Sequence, residues 1–422
     1  MPDWSIVNPP PEGHPDVASW AWNLFEISRR ERRRLNLEDR WRTSYRLYRG
    51  DHGQGGRNRA FTMLNLFFAN IERTKANITA RKPVAQVRNV DGVDDGSDKI
   101  LSAKAAAWWQ DTNQQSKLKS SCLSNEINGA TVEKAVWEKG LGRPNVLICD
   151  PFSFFPAPGK WEDISIDPPF VCHAVAEVVE IVEKTFGVEP GTVNADDVYT
   201  ILGEDRELFR PKVVISQAPG TTNVDSGITY HGTSAAGLGS NWNERRALVV
   251  EVWVHDYTTE TIISQEVTGI DEQGKPIITK ASQERQIYPD GIRVITVTNN
   301  GDLLLDDKPN PNLNHAILDE NCMSWGRYPF YLANSYEDTT SIWGFSAVEQ
   351  TSDLNAKINE LFSKMFAYIM RAMLPPLILP KDCGVETYEV NNKPGLILRP
   401  HSAQHAAGIR FVPVPQIGRA HV

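Results

Sequence analysis

Residues 343–376 read WGFSAVEQTSDLNAKINELFSKMFAYIMRAMLPP, and this stretch decides the fold. At about 100° per residue, Leu354, Ile358, Leu361, Met365 and Ile369 fall on one side of a helix, and Phe362, Phe366 and Met373 widen that apolar face. Asp353, Lys357, Glu360, Lys364 and Arg371 fall together on another side. Ser346 with Glu349 three residues on has the spacing of a capping box, and Pro375 and Pro376 forbid continuation beyond Leu374. The spacing predicts one helix from Ser346 to Leu374, about 40 Å long, where most globular helices average about 11 residues. Taken alone, the periodicity favours an ordinary core helix whose polar side meets solvent.

Composition bounds the rest. With 422 residues, the chain is long enough for two or three domains, and 41% apolar and 23% charged residues are those of a soluble protein with a real core. No uncharged apolar run approaches the roughly 18 residues of a membrane span, and MPDWSIVNPPPEGHPD lacks the basic-then-apolar order of a secretion signal. Cys122, Cys149, Cys172, Cys322 and Cys383 are scattered without a CxxC pair and read as reduced structural thiols in a cytoplasm. A net charge of -9 does not fit tight DNA binding through phosphate neutralisation.

Along the chain, Val17 to Gly50 reads as a helical segment with an aromatic face at Trp41, Tyr45 and Tyr48. Its cluster Arg29, Arg30, Arg32, Arg33 and Arg34, interleaved with glutamates, reads as a solvated face or subunit contact. Asn65 to Arg81 and Lys99 to Asn128 read as further helices, the latter carrying the Trp108-Trp109 pair for a core or an interface. The apolar period changes to two over Thr131 to Trp137, and a turn at 140–144 leads into Asn145 to Cys149, a hairpin by pattern. Val175 to Phe186 and Ala195 to Leu202 read as short helices, and residues 218–244 as a flexible loop rich in Gly, Ser, Thr and Asn. Ala247 to Tyr257, Ile277 to Tyr288 and Ile292 to Thr298 alternate, which predicts a small antiparallel sheet or barrel. Short strands are expected at Tyr388 to Val390, Leu396 to Leu398 and Phe411 to Val414.

Signals for catalysis are weak. Gly269 to Pro276 nearly matches a phosphate loop, but Pro276 stands where a hydroxyl should hold magnesium, and the run sits between strands. His401 and His405 lack the glutamate of HExxH and read as a surface loop. Gly53, Gly55 and Gly56 follow no buried strand, so a dinucleotide loop fails its context. His173 and His255 lie in strand-like runs and read as structural histidines. The expectation is no catalytic residue, no metal and no cofactor.

Pro329-Phe330, Trp343-Gly344, Ser346 to Gln350, Asp353-Leu354-Asn355 and Ile358-Asn359 together resemble the segment leading into the channel-lining stem helix of portal proteins of tailed double-stranded-DNA bacteriophages. Upstream, Trp41, Tyr45, Tyr48 and Gly50 match the family's opening helix, and Asn65, Ile71, Ile78 and Pro83 its second helix. Asp150, Pro151, Phe155, Pro156 and Pro158 match its Asp-Pro turn region, and Val250 to Trp253 its alternating strand. Each element is short; their order over most of the chain carries the resemblance.

The resemblance implies a mixed α/β and α+β subunit: a helical N-terminal part with β-hairpins, a small antiparallel sheet or barrel, one long stem helix and the start of a small β-containing clip. The wing would span 1–344 (helices 17–137, a β/α segment 131–216, the loop 218–244 and a β-rich subdomain 246–330), the stem helix 345–374 and a truncated clip 375–416. The second stem helix, tunnel loop and crown would be missing. It further implies a homo-oligomeric ring, a dodecamer, assembled in the bacterial host cytoplasm and placed at the virion capsid vertex. Its partners would be the terminase large subunit, which hydrolyses ATP, the scaffold and major capsid protein, and a head-tail adaptor. Double-stranded DNA would pass through without tight binding, along or near the stripe Asp353, Lys357, Glu360, Lys364 and Arg371, which serves either the channel or a subunit interface. The alternatives left open are another head-tail connector or adaptor and a phage-encoded DNA-processing enzyme. Ile417 to Val422 is one reading of ATC GGA AGA GCA CAC GTC, which resembles the start of a common sequencing adapter, and Gln416 as CAG supplies the two preceding bases. Residues 417–422 are therefore expected to be non-native, with the native protein continuing past Pro415.

Overall fold

The computed structural model describes residues 4–6, 9–51, 63–88, 96–138, 142–195, 246–270, 276–313, 325–373, 377–385 and 399–412. In chain order its helices are α1 Val17–Arg34, α2 Leu37–Tyr48, α3 Leu66–Ile78, α4 Ser97–Asp111, α5 Gln114–Asn128, α6 Val179–Phe186, α7 Ala347–Met373 and α8 Ala403–Gly408. Its strands are β1 Ala130–Glu138, β2 Arg143–Cys149, β3 Phe154–Pro156, β4 Phe170–Val178, β5 Arg246–His255, β6 Thr259–Ile270, β7 Pro276–Gln286, β8 Ile292–Thr298, β9 Leu303–Pro309, β10 Phe330–Asn334, β11 Leu377–Ile378 and β12 Arg410–Phe411. The chain is thus mixed helix and sheet, with small antiparallel sheets. It divides into two compact units, Met1–Tyr45 with Ala69–Gln350 and Arg46–Phe68 with Thr351–Val422.

In the first unit, α1 buries Val17, Trp20, Ala21, Leu24 and Phe25, an i, i+3, i+4 stripe, and Phe25 meets Phe155 of β3 edge to face at 4.7 Å. The sheet beneath is antiparallel, in the order β3-β4-β5-β8-β9. Every residue of β8 is buried, including Arg293. A guanidinium out of reach of water needs its donors answered. Its Nε and Nη2 donate to Asp307 at 2.8 and 2.7 Å, and its Nη1 to the Pro10 carbonyl at 2.6 Å and to Asp256 at 3.2 Å.

The hairpin read at 131–149 pairs from Val132–Cys149 to Glu138–Arg143, and β10 adds to the other side of β1. This sheet meets the larger one through Phe330, whose ring lies 5.2 Å from Phe154 and 6.1 Å from Trp253. Beside these rings Lys134 of β1 forms an ion pair with Glu251 of β5. Burial works against the Glu251 charge, but Lys134 and His173 hold its carboxyl well below the usual carboxylate range. A carboxyl depressed on folding adds stability above its unfolded value of about 4.3, and that stability is lost as the pH falls toward the folded value. Glu251→Gln is expected to cost about 2 kcal/mol at neutral pH and to flatten the acid loss of stability below about pH 4. Urea titrations from pH 7 down to pH 3 check both.

Several local readings gave way to backbone or pairing effects. The segments Val17–Gly50 and Lys99–Asn128 are each two helices, broken where Asn36 and Asn113 take φ of 51° and 52°, the left-handed region that asparagine tolerates. The helix read from Val175 starts at Val179, because Val175 to Val178 pair with Val249 to Arg246. Pairing across the sheet outweighs the helical pattern there. The antiparallel strands form an open sheet with β3 and β9 at its ends, while β6 and β7 pair with each other as a separate ribbon. Gly269 and Ile270 pair with Ile277 and Pro276 in that ribbon, a strand-to-strand context foreign to a phosphate loop. The arginine cluster is not simply solvated: Arg29 and Arg32 are buried, Arg32 donating to Glu38 and to the Phe152 carbonyl with its guanidinium over the Phe155 ring. α4 has no buried residue, and Trp108 donates to the Pro144 carbonyl at 2.6 Å. Residues 196–202, the loop 218–244, Gly53, Gly55, Gly56, Cys322, the strands read at 388–390 and 396–398, and 417–422 lie outside the described residues.

In the second unit, Asn65 caps α3 by accepting from the Phe68 N–H at 3.2 Å and donates to the Tyr48 carbonyl at 2.9 Å. β11 and β12 form a two-residue pair. His405 sits in the short helix α8 where a loop was read, because the Ser402 hydroxyl accepts from its N–H at 3.2 Å. Among the described residues no helix is long and apolar enough to cross a membrane.

Candidate functional site

The start of α7 is held by the first unit. Trp343 stacks edge to face on Trp41 at 5.1 Å, so the aromatic residues of two distant motifs share one core. Gly344 and Gly129 let two backbones touch: a Cβ on Gly344 would stand 2.3 Å from the Tyr336 carbonyl oxygen, and one on Gly129, at φ +79°, 2.5 Å from the Phe345 carbonyl carbon. Ser346 then caps the helix, its Oγ accepting from the Glu349 N–H at 3.1 Å. The Glu349 carboxylate takes two bonds from Arg40, at 3.1 and 2.7 Å. Ser346→Ala is expected to cost about 1 kcal/mol, read as a shift in the urea midpoint with the slope unchanged.

Beyond Gln350 the helix belongs to the second unit and continues to Met373. Its buried side there is polar: Asn355 and Asn359 are 3% and 1% exposed. Asn359 Oδ1 accepts from the Leu64 N–H at 2.9 Å, and its carbonyl accepts from Ser363 Oγ at 2.8 Å. The greasy face lies one residue step away, about 100° round the helix, and is largely left open, with Ile358 half-buried on it. Leu354 is 62% exposed, Leu361 59%, Met365 57% and Ile369 44%; Phe362, Phe366, Met370 and Met373 are exposed too. The apolar face is therefore not the side with which α7 packs in its own unit. Burying a side chain of this size is worth about 1.5–3 kcal/mol, so the face carries a large unspent driving force for association.

The charged stripe is brought together along the helix surface. Glu360 is the hub, accepting from Lys364 at 2.7 Å and from Lys357 at 3.1 Å. The hydrogen bond from Lys364, then that from Lys357, hold its carboxyl down to about 2. All three side chains are exposed, so water and salt screen these pairs and they add little to stability. Their effect is to cap the local charge: two ammonium groups share one carboxylate. Asp353 is exposed on the same helix, and the Arg371 side chain lies outside the described residues.

The periodic pattern located the apolar and charged faces but not the packed one. Ser352, Asn355, Asn359 and Ser363 recur at i, i+3, i+4 spacing as a small polar line, and that line is the signal for the contact side. Compared with known proteins, the chain matches no family model and no curated protein.

Proposed function

We propose that this chain is a subunit of the portal ring of a tailed double-stranded-DNA bacteriophage, a structural protein and not an enzyme, forming the DNA channel at the capsid vertex. The observation that carries the reading is the open apolar face of α7, a stripe about 30 Å long from Leu354 to Met373 on a helix whose own unit packs against its asparagines. In a homo-oligomer, each copy of that stripe would be covered by a neighbour, and cyclic symmetry would close the set without leaving an exposed end. The order of the portal-like motifs along the chain supports the same reading, and the -9 charge suits a conduit that must release DNA as easily as it admits it.

On this reading the ring is a dodecamer assembled in the host cytoplasm. It would engage the terminase large subunit for packaging, the scaffold and major capsid protein in the procapsid, and a head-tail adaptor before DNA ejection. The Lys357-Glu360-Lys364 stripe would face either the channel or a subunit boundary, with its charges largely cancelled, so that passing phosphates are weakly held.

Electron microscopy and sedimentation of the purified chain test the proposal. Rings with an axial hole are the expected result; a monomer at micromolar concentration refutes it. Lys357→Glu with Lys364→Glu separates the two placements. Intact rings with altered packaging would put the stripe in the channel, and loss of rings would put it at subunit contacts.

A further inference from the structure

One positively charged stretch of the first unit is left uncovered by its own chain. Residues 73–104 hold seven Lys and Arg against four Asp, a net of +3, while the whole chain carries -9 and the remaining residues therefore -12. α4 lies in this stretch with no buried residue, and residues 80–88 are all exposed. The two segments lie together: Lys82 Nζ donates to the Ala106 carbonyl at 3.2 Å, and the Val87 N–H to Ser102 Oγ at 2.9 Å. Val84 is 78% exposed and Ile100 59%, and Val87 and Leu101 are open too. Arg81, Lys82, Arg88, Lys99 and Lys104 are exposed on the same two segments, and none of the five pairs with a carboxylate among the described residues.

We infer that α4 and residues 81–88 form a docking surface for an acidic face of a second copy of this chain. The inference rests on the ring reading above and adds a second contact patch to it. A ring of more than two copies joins unlike patches, so each protomer needs more than the α7 stripe. Four exposed apolar residues among five cations have the make-up of a contact with an apolar centre and a charged rim. Nucleic acid would answer the cations alone, because a phosphate backbone gives Val84, Ile100 and Leu101 nothing to pack against. A sister copy answers both, since its residues outside this stretch carry net negative charge. Opposite charge steers the copies together and sets their register, and the apolar side chains supply the area removed from water.

The test puts the photo-crosslinking residue benzoylphenylalanine in place of Ile100 in the full chain and irradiates an equal mixture of light- and heavy-nitrogen protein. Mass spectrometry is expected to find that position joined to a carboxylate-rich peptide of the other isotope. Joins confined to one isotope, or no join, overturn the inference. Arg88→Glu with Lys99→Glu is expected to cut the mixed-isotope product at least about 10-fold at low salt, with the thermal melt unchanged because both side chains are exposed. An undiminished yield overturns the inference. So does a short DNA duplex retained by the unaltered chain but not by the double variant, with no mixed-isotope product, which would name nucleic acid as the occupant. The ring reading fails separately: rings without mixed-isotope product sink the docking surface alone, whereas mixed-isotope product from particles that are not rings supports the docking surface and sinks the ring.

Discussion

Leu361→Asp combined with Ile369→Asp is expected to leave a folded chain that cannot form the proposed ring. Each substitution removes about 1.5–3 kcal/mol of apolar burial from the proposed contact and sets a carboxylate against a neighbour's greasy face, at a further cost of several kcal/mol per site. At 1.4 kcal/mol for each factor of ten, the pair weakens association by more than about a thousandfold. The folded chain itself should change by no more than about 0.5 kcal/mol, since both side chains are exposed in it. Sedimentation velocity reads the first effect and a thermal melt the second. Rings that persist in the double variant would mean that the apolar face of α7 is not the contact. A collapse in the melt would mean that it is covered within the chain.

The other large effect concerns stability. Arg293→Met should destabilise the first unit by about 3–5 kcal/mol, a substantial part of the roughly 5–15 kcal/mol that holds a typical domain. Methionine keeps much of the side-chain volume but leaves Asp256 and Asp307, 2% and 7% exposed at their side chains, without the cation between them. It also frees the Pro10 carbonyl, which the guanidinium ties to β8. The penalty then comes mostly from stranded negative charge, and not from lost attraction. The check is a triple variant in which Asp256→Asn and Asp307→Asn accompany Arg293→Met: it should recover a measurable part of the loss in urea unfolding. If the triple variant is no more stable than Arg293→Met alone, the ion network is not the source of the cost.

The candidate site was legible in outline. Ser346, the helix that follows it and the two stripes could be placed from spacing, because a capping hydroxyl and an amphipathic period act within one or two turns of chain. The β1–β2 hairpin and the strands β5 and β8 were legible for the same kind of reason, since alternation over five or more residues reports a pleated, half-covered surface. Where two segments were read as single helices, the break came from Asn36 and Asn113, residues that permit a left-handed backbone without demanding one. His173 shows the limit most plainly. In sequence it is one histidine in an apolar run; only the pairing of β4 with β5 sets it against Glu251, and only the meeting of the two sheets adds Lys134 to the same carboxylate.

Local chemistry in the chain thus settled that α7 exists, is capped at Ser346 and is two-faced, while the breaks at Asn36 and Asn113 and the start of α6 at Val179 needed the tertiary structure. Tertiary packing decided which flank of that helix is covered. An amphipathic period is the same whether its greasy side meets a core, a sister subunit or water, and the choice of Asn355 and Asn359 as the inward side depends on what the rest of the second unit brings to them. The buried Arg293 network and the Lys134–Glu251 pair were likewise invisible beforehand, because their members lie tens to hundreds of residues apart and no short-range rule links charges at that separation.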